Sequence, residues 1–137
     1  MVMKSAGYEK GVRIISAAFA IDPTDPQWQD TPEDQEWLAL MKNTMLWPTL
    51  PISRARLVYS YAQIMVAVLK ACGDNLTREN VMKQAISLQN VALPMLLPGI
   101  TLSTSATDFA PIKQMQLEKF DGATWRLFGE VIRAPAN

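Results

Sequence analysis

Glu33, Asp34 and Glu36 form a cluster of carboxylates in this chain. Neighbouring carboxylates can act as general acid and general base when their surroundings separate their pKa values. These three follow Thr31 and Pro32, a pair typical of the start of a helix, so they fall in a first helical turn, where the helix dipole favours acidic side chains. The pattern therefore favours a structural role for the cluster over catalysis.

Nucleophilic and metal chemistry find little support in the residue types present. The chain has no histidine, which removes the commonest general base near neutral pH and the commonest zinc ligand. Cys72 is the one cysteine, so it forms no disulfide within the chain and has no histidine to activate it. Neither a Walker loop nor a G-x-G-x-x-G element is present. We expect no catalytic residue, metal site or cofactor, and a protein that is not an enzyme.

Two other groups of residues could contact a ligand. Trp28, Trp37, Trp47 and Trp125 could form an aromatic box, but they lie in four different segments, which favours packing in a core or interface. The run "STSATD" at 103–108 offers hydroxyls and a carboxylate. Such side chains either bind a ligand or satisfy the backbone of their own loop, and we favour the second.

Size and charge limit the classes of partner. The 137 residues, 49% of them hydrophobic, suffice for one domain or part of one. Thirteen basic residues balance thirteen acidic ones, and neither sign forms a block, so nucleic acid and anionic membrane are not expected partners. The start "MVMKSAGYEKG" lacks the apolar run of a signal peptide. No stretch approaches the roughly 18 to 20 apolar residues of a membrane span.

The first half of the chain reads as a strand followed by helices. An apolar run at 11–21 predicts a buried strand, and Pro23 and Pro26 predict a crossing segment after it. Thr31 is the predicted N-cap of a helix of three to four turns. The second predicted helix has Gly73 as its left-handed cap and an apolar face made of Leu57, Tyr61, Ile64, Met65, Val68 and Cys72.

A third helix and a set of short strands are predicted in the second half. Thr77 is more simply a helix N-cap than a ligand hydroxyl. The core face of its helix is predicted to contain Val81, Met82, Ala85, Ile86 and Leu88. "GITLST" is a strand candidate, and a terminal hairpin is predicted around Asp121-Gly122 in a type I′ turn. The last strand has large apolar residues on both faces, so we expect it to be covered on both sides.

Three segments together resemble a known family. "GVRIISAAFAIDPTDPQW", "GDNLTRENVMKQAISL" and "LPGITLSTSATDFAPIKQMQLEKFDGATWRLFGEVI" are similar to the C-terminal part of the type I periplasmic substrate-binding proteins of branched-chain amino acid transporters. The likeness covers almost the whole chain except 45–57. In members of the family an acidic, glycine-containing segment leads into this helix. The chain lacks such a segment, and Val58 stands where a glycine is expected.

The resemblance implies an α/β fold, namely the C-terminal fragment of a receptor with two lobes that close around a ligand. It implies a second-lobe strand and crossover at 1–22, first-lobe helices and a strand at 31–107, and a terminal hairpin at 108–137 that runs back toward the second lobe. A signal peptide would then belong to an upstream portion. Tyr59 matches a place where family members approach the ligand, although packing in a helix core is an equal alternative for it.

The implied function is non-catalytic. The chain would be the solute-binding component, or a fragment of it, of a periplasmic ABC transporter for branched-chain or other amino acids or small aromatic acids. Its partners would be that ligand, the membrane permease and further copies of the chain associated through exposed lobe surfaces. The alternative is a ligand-free structural or dimerisation module derived from such a receptor.

Overall fold

The computed structural model describes residues 7–44 and 52–134, so Trp47 and most of the divergent segment 45–57 lie outside the described residues. Within the described ranges the chain combines three α-helices with one three-stranded antiparallel sheet. The elements are α1 (Pro32–Asn43), α2 (Ile52–Cys72), α3 (Arg78–Ala85), β1 (Ile15–Ala18), β2 (Gln114–Phe120) and β3 (Trp125–Arg133), with a 3-10 helix at Tyr8–Gly11. The expected mixture of helices and strands is confirmed.

The sheet has the order β1-β2-β3. The predicted terminal hairpin is confirmed, because β2 and β3 pair in an antiparallel ladder that closes with Phe120 opposite Trp125. β2 also pairs with β1, and Ile15 lies opposite Lys119. The terminal hairpin therefore returns to the first strand of the chain, and β2 becomes the central strand.

The turn of the hairpin differs from the expected type I′ turn. Residues 121–124 form a four-residue loop, and within it Gly122 has a φ of 108°. The Asp121 carboxylate accepts hydrogen bonds from the main-chain nitrogens of Ala123 and Thr124, both at 2.9 Å, and from Arg126 Nε. These bonds hold the pKa of Asp121 well below its usual range. The carboxylate satisfies the loop backbone, which explains why Asp121 does not need the positive φ of a type I′ turn.

The helix boundaries follow the predicted capping residues. Thr31 Oγ1 accepts a hydrogen bond from the Asp34 main-chain nitrogen, and Thr77 Oγ1 accepts one from that of Asn80. Gly73 follows α2 with a φ of 57°. These contacts confirm both N-caps and the left-handed cap, and they give Thr77 the structural role.

The buried face of α2 was predicted only in part. Ile64, Val68 and Cys72 pack inward as expected, whereas Leu57, Tyr61 and Met65 are exposed. Ala55 and Tyr59 are buried in their place. The helix is apolar around most of its circumference, so periodicity could not identify the face that meets the core. On α3, Met82 is likewise exposed instead of buried.

The strands at the sheet edges are less covered than predicted. β1 is shorter than the run 11–21, and three of its four residues are exposed, so the prediction of a buried strand was wrong. On β3, Phe128 and Ile132 are exposed, so its coverage on both faces was wrongly predicted. "GITLST" forms no regular strand; Leu102 makes isolated bridges to Val91 and Ile112 instead.

Two buried clusters form the core of the described residues. The larger one joins α1, α2 and the segment 93–100 against the inner side of the sheet. Its most buried members include Trp37 and Met95. The smaller one joins the C-terminal half of α2 to Leu88 and Leu102. The predicted burial of the Cys72 thiol in a helix core is confirmed.

Candidate functional site

A cleft of about 250 Å³ lies where the sheet meets the crossing segment after β1. We call it the sheet cleft. Its walls come from β1, the crossing segment, β2, the start of β3, one side chain of α2 and Leu97. The polar and aromatic residues that line it are Asp22, Asp25, Gln27, Trp28, Arg56, Glu118 and Trp125.

The crossing segment fixes two carboxylates at this cleft through tight turns. Asp22 Oδ1 accepts hydrogen bonds from the main-chain nitrogen of Thr24 at 2.9 Å and from its hydroxyl at 2.7 Å. Asp25, which is only 9% exposed, accepts two bonds from Gln27, one from the main chain and one from the side-chain amide. The same amide donates to the Trp125 carbonyl at 3.2 Å. Gln27 therefore links the crossing segment to the start of β3.

Arg56 supplies the positive charge of the sheet cleft. It lies on α2, and its Nη1 donates a hydrogen bond to the main-chain carbonyl of Ile21 at the beginning of the crossing segment. A guanidinium has five N–H donors in a planar fork, so this one bond leaves capacity to hold a carboxylate. The Arg56 charge partly offsets the rise in the pKa of Glu118.

Glu118 is a carboxylate on the inner side of the central strand. It is half-buried, it lies two residues before the buried Phe120, and alternate residues of a strand share one face. Burial raises its pKa, the charges of Asp22 and Asp25 raise it further, and Arg56 opposes them. An acidic group with a shifted pKa in a cleft is a common feature of binding sites.

Two tryptophans supply the apolar surface of the cleft. Trp28 is half-buried at the edge of the larger core cluster. The Trp125 ring lies against Phe120, with ring centroids 5.3 Å apart and planes inclined by 50°. Of the four tryptophans weighed as an aromatic box, the fold brings these two to one cleft, and Trp37 is in the core.

Tyr59, the predicted ligand-binding residue, is in the core and does not line the sheet cleft. It is 4% exposed, and its hydroxyl makes no hydrogen bond among the described residues. Burial raises its pKa, and the charge of Glu36 adds to the rise. Arg56 lies about one helical turn earlier and does line the cleft. The role predicted for Tyr59 stays a prediction.

The other candidate residues are engaged in the fold. Asp34 is fully buried, and neither carboxylate oxygen has a partner among the described residues. Burial raises its pKa, and Asp30 adds to the rise. In 103–108, Ser105 and Asp108 accept hydrogen bonds from main-chain nitrogens of their own loop, as the local interpretation predicts. Thr104 instead accepts from the Leu88 main-chain nitrogen and donates to the Ala85 carbonyl, both in another segment, so that interpretation is confirmed only in part.

A second, wider groove of about 570 Å³ lies between the start of α1 and the segment 92–100. Its lining is mainly apolar, and the charged side chains described in it are Glu33 and Glu36. It therefore offers nothing to hold a ligand carboxylate. The sheet cleft, which contains both signs of charge, is the better candidate for a small polar ligand.

Across 7–44 and 52–134, no group of three or more His, Cys, Asp or Glu residues is arranged to hold a metal ion. In the same part of the chain no helix has the length and apolar character needed to cross a membrane. Comparisons of the chain with protein-family models, with curated proteins and with solved structures found no match.

The residues of the sheet cleft carried little signal in the sequence. Asp22, Asp25 and Trp28 are in the segment whose prolines predicted a crossing. The two prolines and irregular pattern of 46–56 predicted a connector that would include Arg56, but α2 already begins at Ile52, so that prediction was wrong for 52–56. Alternation in the predicted strand puts Glu118 on the same face as Ile112 and Phe120, but also as Gln114 and Gln116. A carboxylate on such a mixed face is a weak sign of a site.

Proposed function

We propose that the chain is a solute-binding component of an ABC transporter and that the sheet cleft contacts the ligand. The observation that carries this proposal is the combination in one cleft of a guanidinium, three carboxylates and two indole rings. Small-molecule sites are concave and mostly apolar, with a few polar groups that fix orientation. Reactive pairs or cofactor loops are not required for such a role.

The chemistry of the cleft favours an amino acid as the ligand. Arg56 can pair with an α-carboxylate in a bidentate geometry, and Glu118 with Asp22 can hold an α-ammonium group. Trp28 and Trp125 suit a branched or aromatic side chain. A small aromatic acid has no ammonium group and would meet an excess of negative charge, so we rank it below the amino acids.

The course of the chain supports assignment to a type I periplasmic binding-protein fold. In that fold the terminal hairpin runs back to the lobe that contains the strand before the crossover, and here β2 pairs with β1. The crossing segment at Pro23 and Pro26 then corresponds to a connection between lobes. Ligand held at this segment would favour the closed form of the receptor, and the closed form would dock on the membrane permease.

A thermal-shift titration tests the proposal. Leucine, phenylalanine and benzoate are added to the full chain, to Glu118→Gln and to Lys119→Gln, whose changed residue is an exposed neighbour on β2. At about 100 times its dissociation constant a ligand stabilises the fold by about 2.7 kcal/mol. We expect a saturable rise with an amino acid that Glu118→Gln reduces and Lys119→Gln preserves. A cooperative transition that no compound shifts would contradict the proposal.

A further inference from the structure

The exposed side of α2 carries a continuous apolar surface. Its six large side chains are between 40% and 61% exposed: Leu57, Val58, Tyr61, Met65, Val66 and Leu69. Residues four apart lie above one another on a helix, so they form two parallel rows, with the exposed Ala62 between Val58 and Val66. We call this surface the α2 apolar face.

The α2 apolar face contains no charge. The run 57–69 includes no Asp, Glu, Lys or Arg, and the formal net charge of the chain is zero. A partner with a strongly charged surface would lose hydration on this face without gaining ion pairs. Within 57–69, two copies of the face can meet without burying a charge, and Lys70 lies at the end of the row that contains Val58, Ala62 and Val66.

The size of the face is near the lower limit for a specific contact. Six large side chains, each about half exposed, present about 500 Å² if a fully exposed one presents about 150–200 Å². Two such faces would bury about 1,000 Å² together, which is about the minimum for a specific interface. The largest apolar patch on a typical soluble monomer is about 300–600 Å² and is often functional, and the α2 apolar face lies in the upper part of that range.

We propose that the α2 apolar face is the interface of a homodimer, in which α2 of one copy packs on α2 of a second copy. The contact is isologous, with the two-fold axis near Ala62 and Met65, because one face then meets its own copy. The small Ala62, between Val58 and Val66 in one row, allows the helices to approach closely. None of the six large side chains lines the sheet cleft, so the dimer and ligand binding can be tested separately.

The outer face of the sheet is a weaker candidate for the same role. Met115, Phe128 and Ile132 are exposed there, but charged side chains such as Lys119 and Glu130 are exposed on the same strands. Burying those charges would require a complementary surface. The α2 apolar face has no such requirement.

Sedimentation equilibrium of the full chain tests the dimer with a matched pair of variants. Met65 is 52% exposed on the α2 apolar face, and Met82 is 57% exposed on α3. We expect the unaltered chain and Met82→Lys to be dimers at micromolar concentration and Met65→Lys to be a monomer with an unchanged circular dichroism spectrum. A monomeric unaltered chain, a series of larger species, or a dimer that survives Met65→Lys overturns the proposal.

Cross-linking provides a second test that does not depend on the folding of Met65→Lys. Cys72 is buried, so a cysteine placed at an exposed position is the thiol that can react between copies. Mild oxidation should give a covalent dimer with Ala62→Cys and none with Met82→Cys. Equal cross-linking of the two variants, or none with Ala62→Cys, would overturn the proposed interface.

Discussion

The Arg56 guanidinium on α2 donates a hydrogen bond to the main-chain carbonyl of Ile21, 35 residues earlier in the chain. This bond joins the second helix to the crossing segment at the sheet cleft. It satisfies the carbonyl of a residue that is itself in the core. Arg56 therefore combines a structural bond with the charge that could hold a ligand carboxylate.

Replacing Arg56 by methionine should affect both roles. The variant keeps an apolar stem but removes a charged hydrogen bond, so the free energy of unfolding should fall by about 1–3 kcal/mol. Any stabilisation by amino acids should disappear at the same time. Urea unfolding with and without leucine measures both effects. Arg78→Met, at an exposed position on α3, is the control, and an equal loss in the two variants would contradict the role of Arg56.

Glu118→Gln should raise stability at neutral pH and weaken amino acid binding. The pKa of Glu118 is raised above 4.5 in the folded chain, so folding favours its protonated form. The contribution of protonated Glu118 to the free energy of unfolding is fully present below pH 4.5, and it is lost as the pH rises through the folded-state pKa. We expect the variant to melt at a higher temperature than the unaltered chain at pH 7 and at a similar one at pH 4. An equal difference in melting temperature at pH 7 and at pH 4 would contradict a raised pKa of Glu118.

Asp34→Asn should also stabilise the fold at neutral pH. Both carboxylate oxygens are buried without a partner among the described residues, and the pKa is raised above 3.8. A buried unsatisfied polar group costs about 1–3 kcal/mol, and the neutral amide should recover part of that cost. The gain should shrink as the pH falls below the folded-state pKa, where Asp34 is protonated. Denaturant unfolding from pH 4 to 8 measures the difference in the free energy of unfolding between Asp34→Asn and the unaltered chain. The exposed Glu33→Gln is the control, and a loss of stability in Asp34→Asn at pH 7 would contradict the expectation.

The hairpin loop should tolerate no side chain at Gly122. Its φ of 108° is strained for other residues, and a Cβ would lie 3.3 Å from Val12 Cγ2. Gly122→Ala should therefore cost about 1–3 kcal/mol. Gly129 also has a positive φ, of 69°, but an added Cβ meets nothing within 4 Å, so Gly129→Ala should cost less. Equal losses in thermal unfolding would count against the loop geometry.

Local chemistry made part of the fold predictable. Thr31 and Thr77 cap their helices because a hydroxyl before a helical run binds a free main-chain nitrogen, and Gly73 adopts the left-handed conformation that other residues avoid. The hairpin was predictable from Asp121-Gly122 and its flanking strands. The length of its loop was not predictable, because a four-residue loop forms here instead of a two-residue turn when the Asp121 carboxylate binds the main-chain nitrogens of Ala123 and Thr124.

Contacts between distant segments were much less predictable. On α2, Tyr61 and Tyr59 are both compatible with a core position, and only the neighbours of the folded helix decide that Tyr59 is buried. The sheet cleft joins Asp22, Arg56 and Glu118, which are far apart in the chain. Their association depends on β2 pairing with β1, a long-range event that local pattern does not encode.

Isothermal titration calorimetry with leucine and two truncated analogues tests the central claim, that the sheet cleft binds an amino acid. The analogues are 3-methylbutylamine, which lacks the carboxylate, and 4-methylpentanoate, which lacks the ammonium group. We predict that leucine binds and that each analogue binds at least about tenfold more weakly, a difference of about 1.4 kcal/mol. Absence of leucine binding, or leucine binding that Arg56→Met and Glu118→Gln leave unchanged, would contradict the claim.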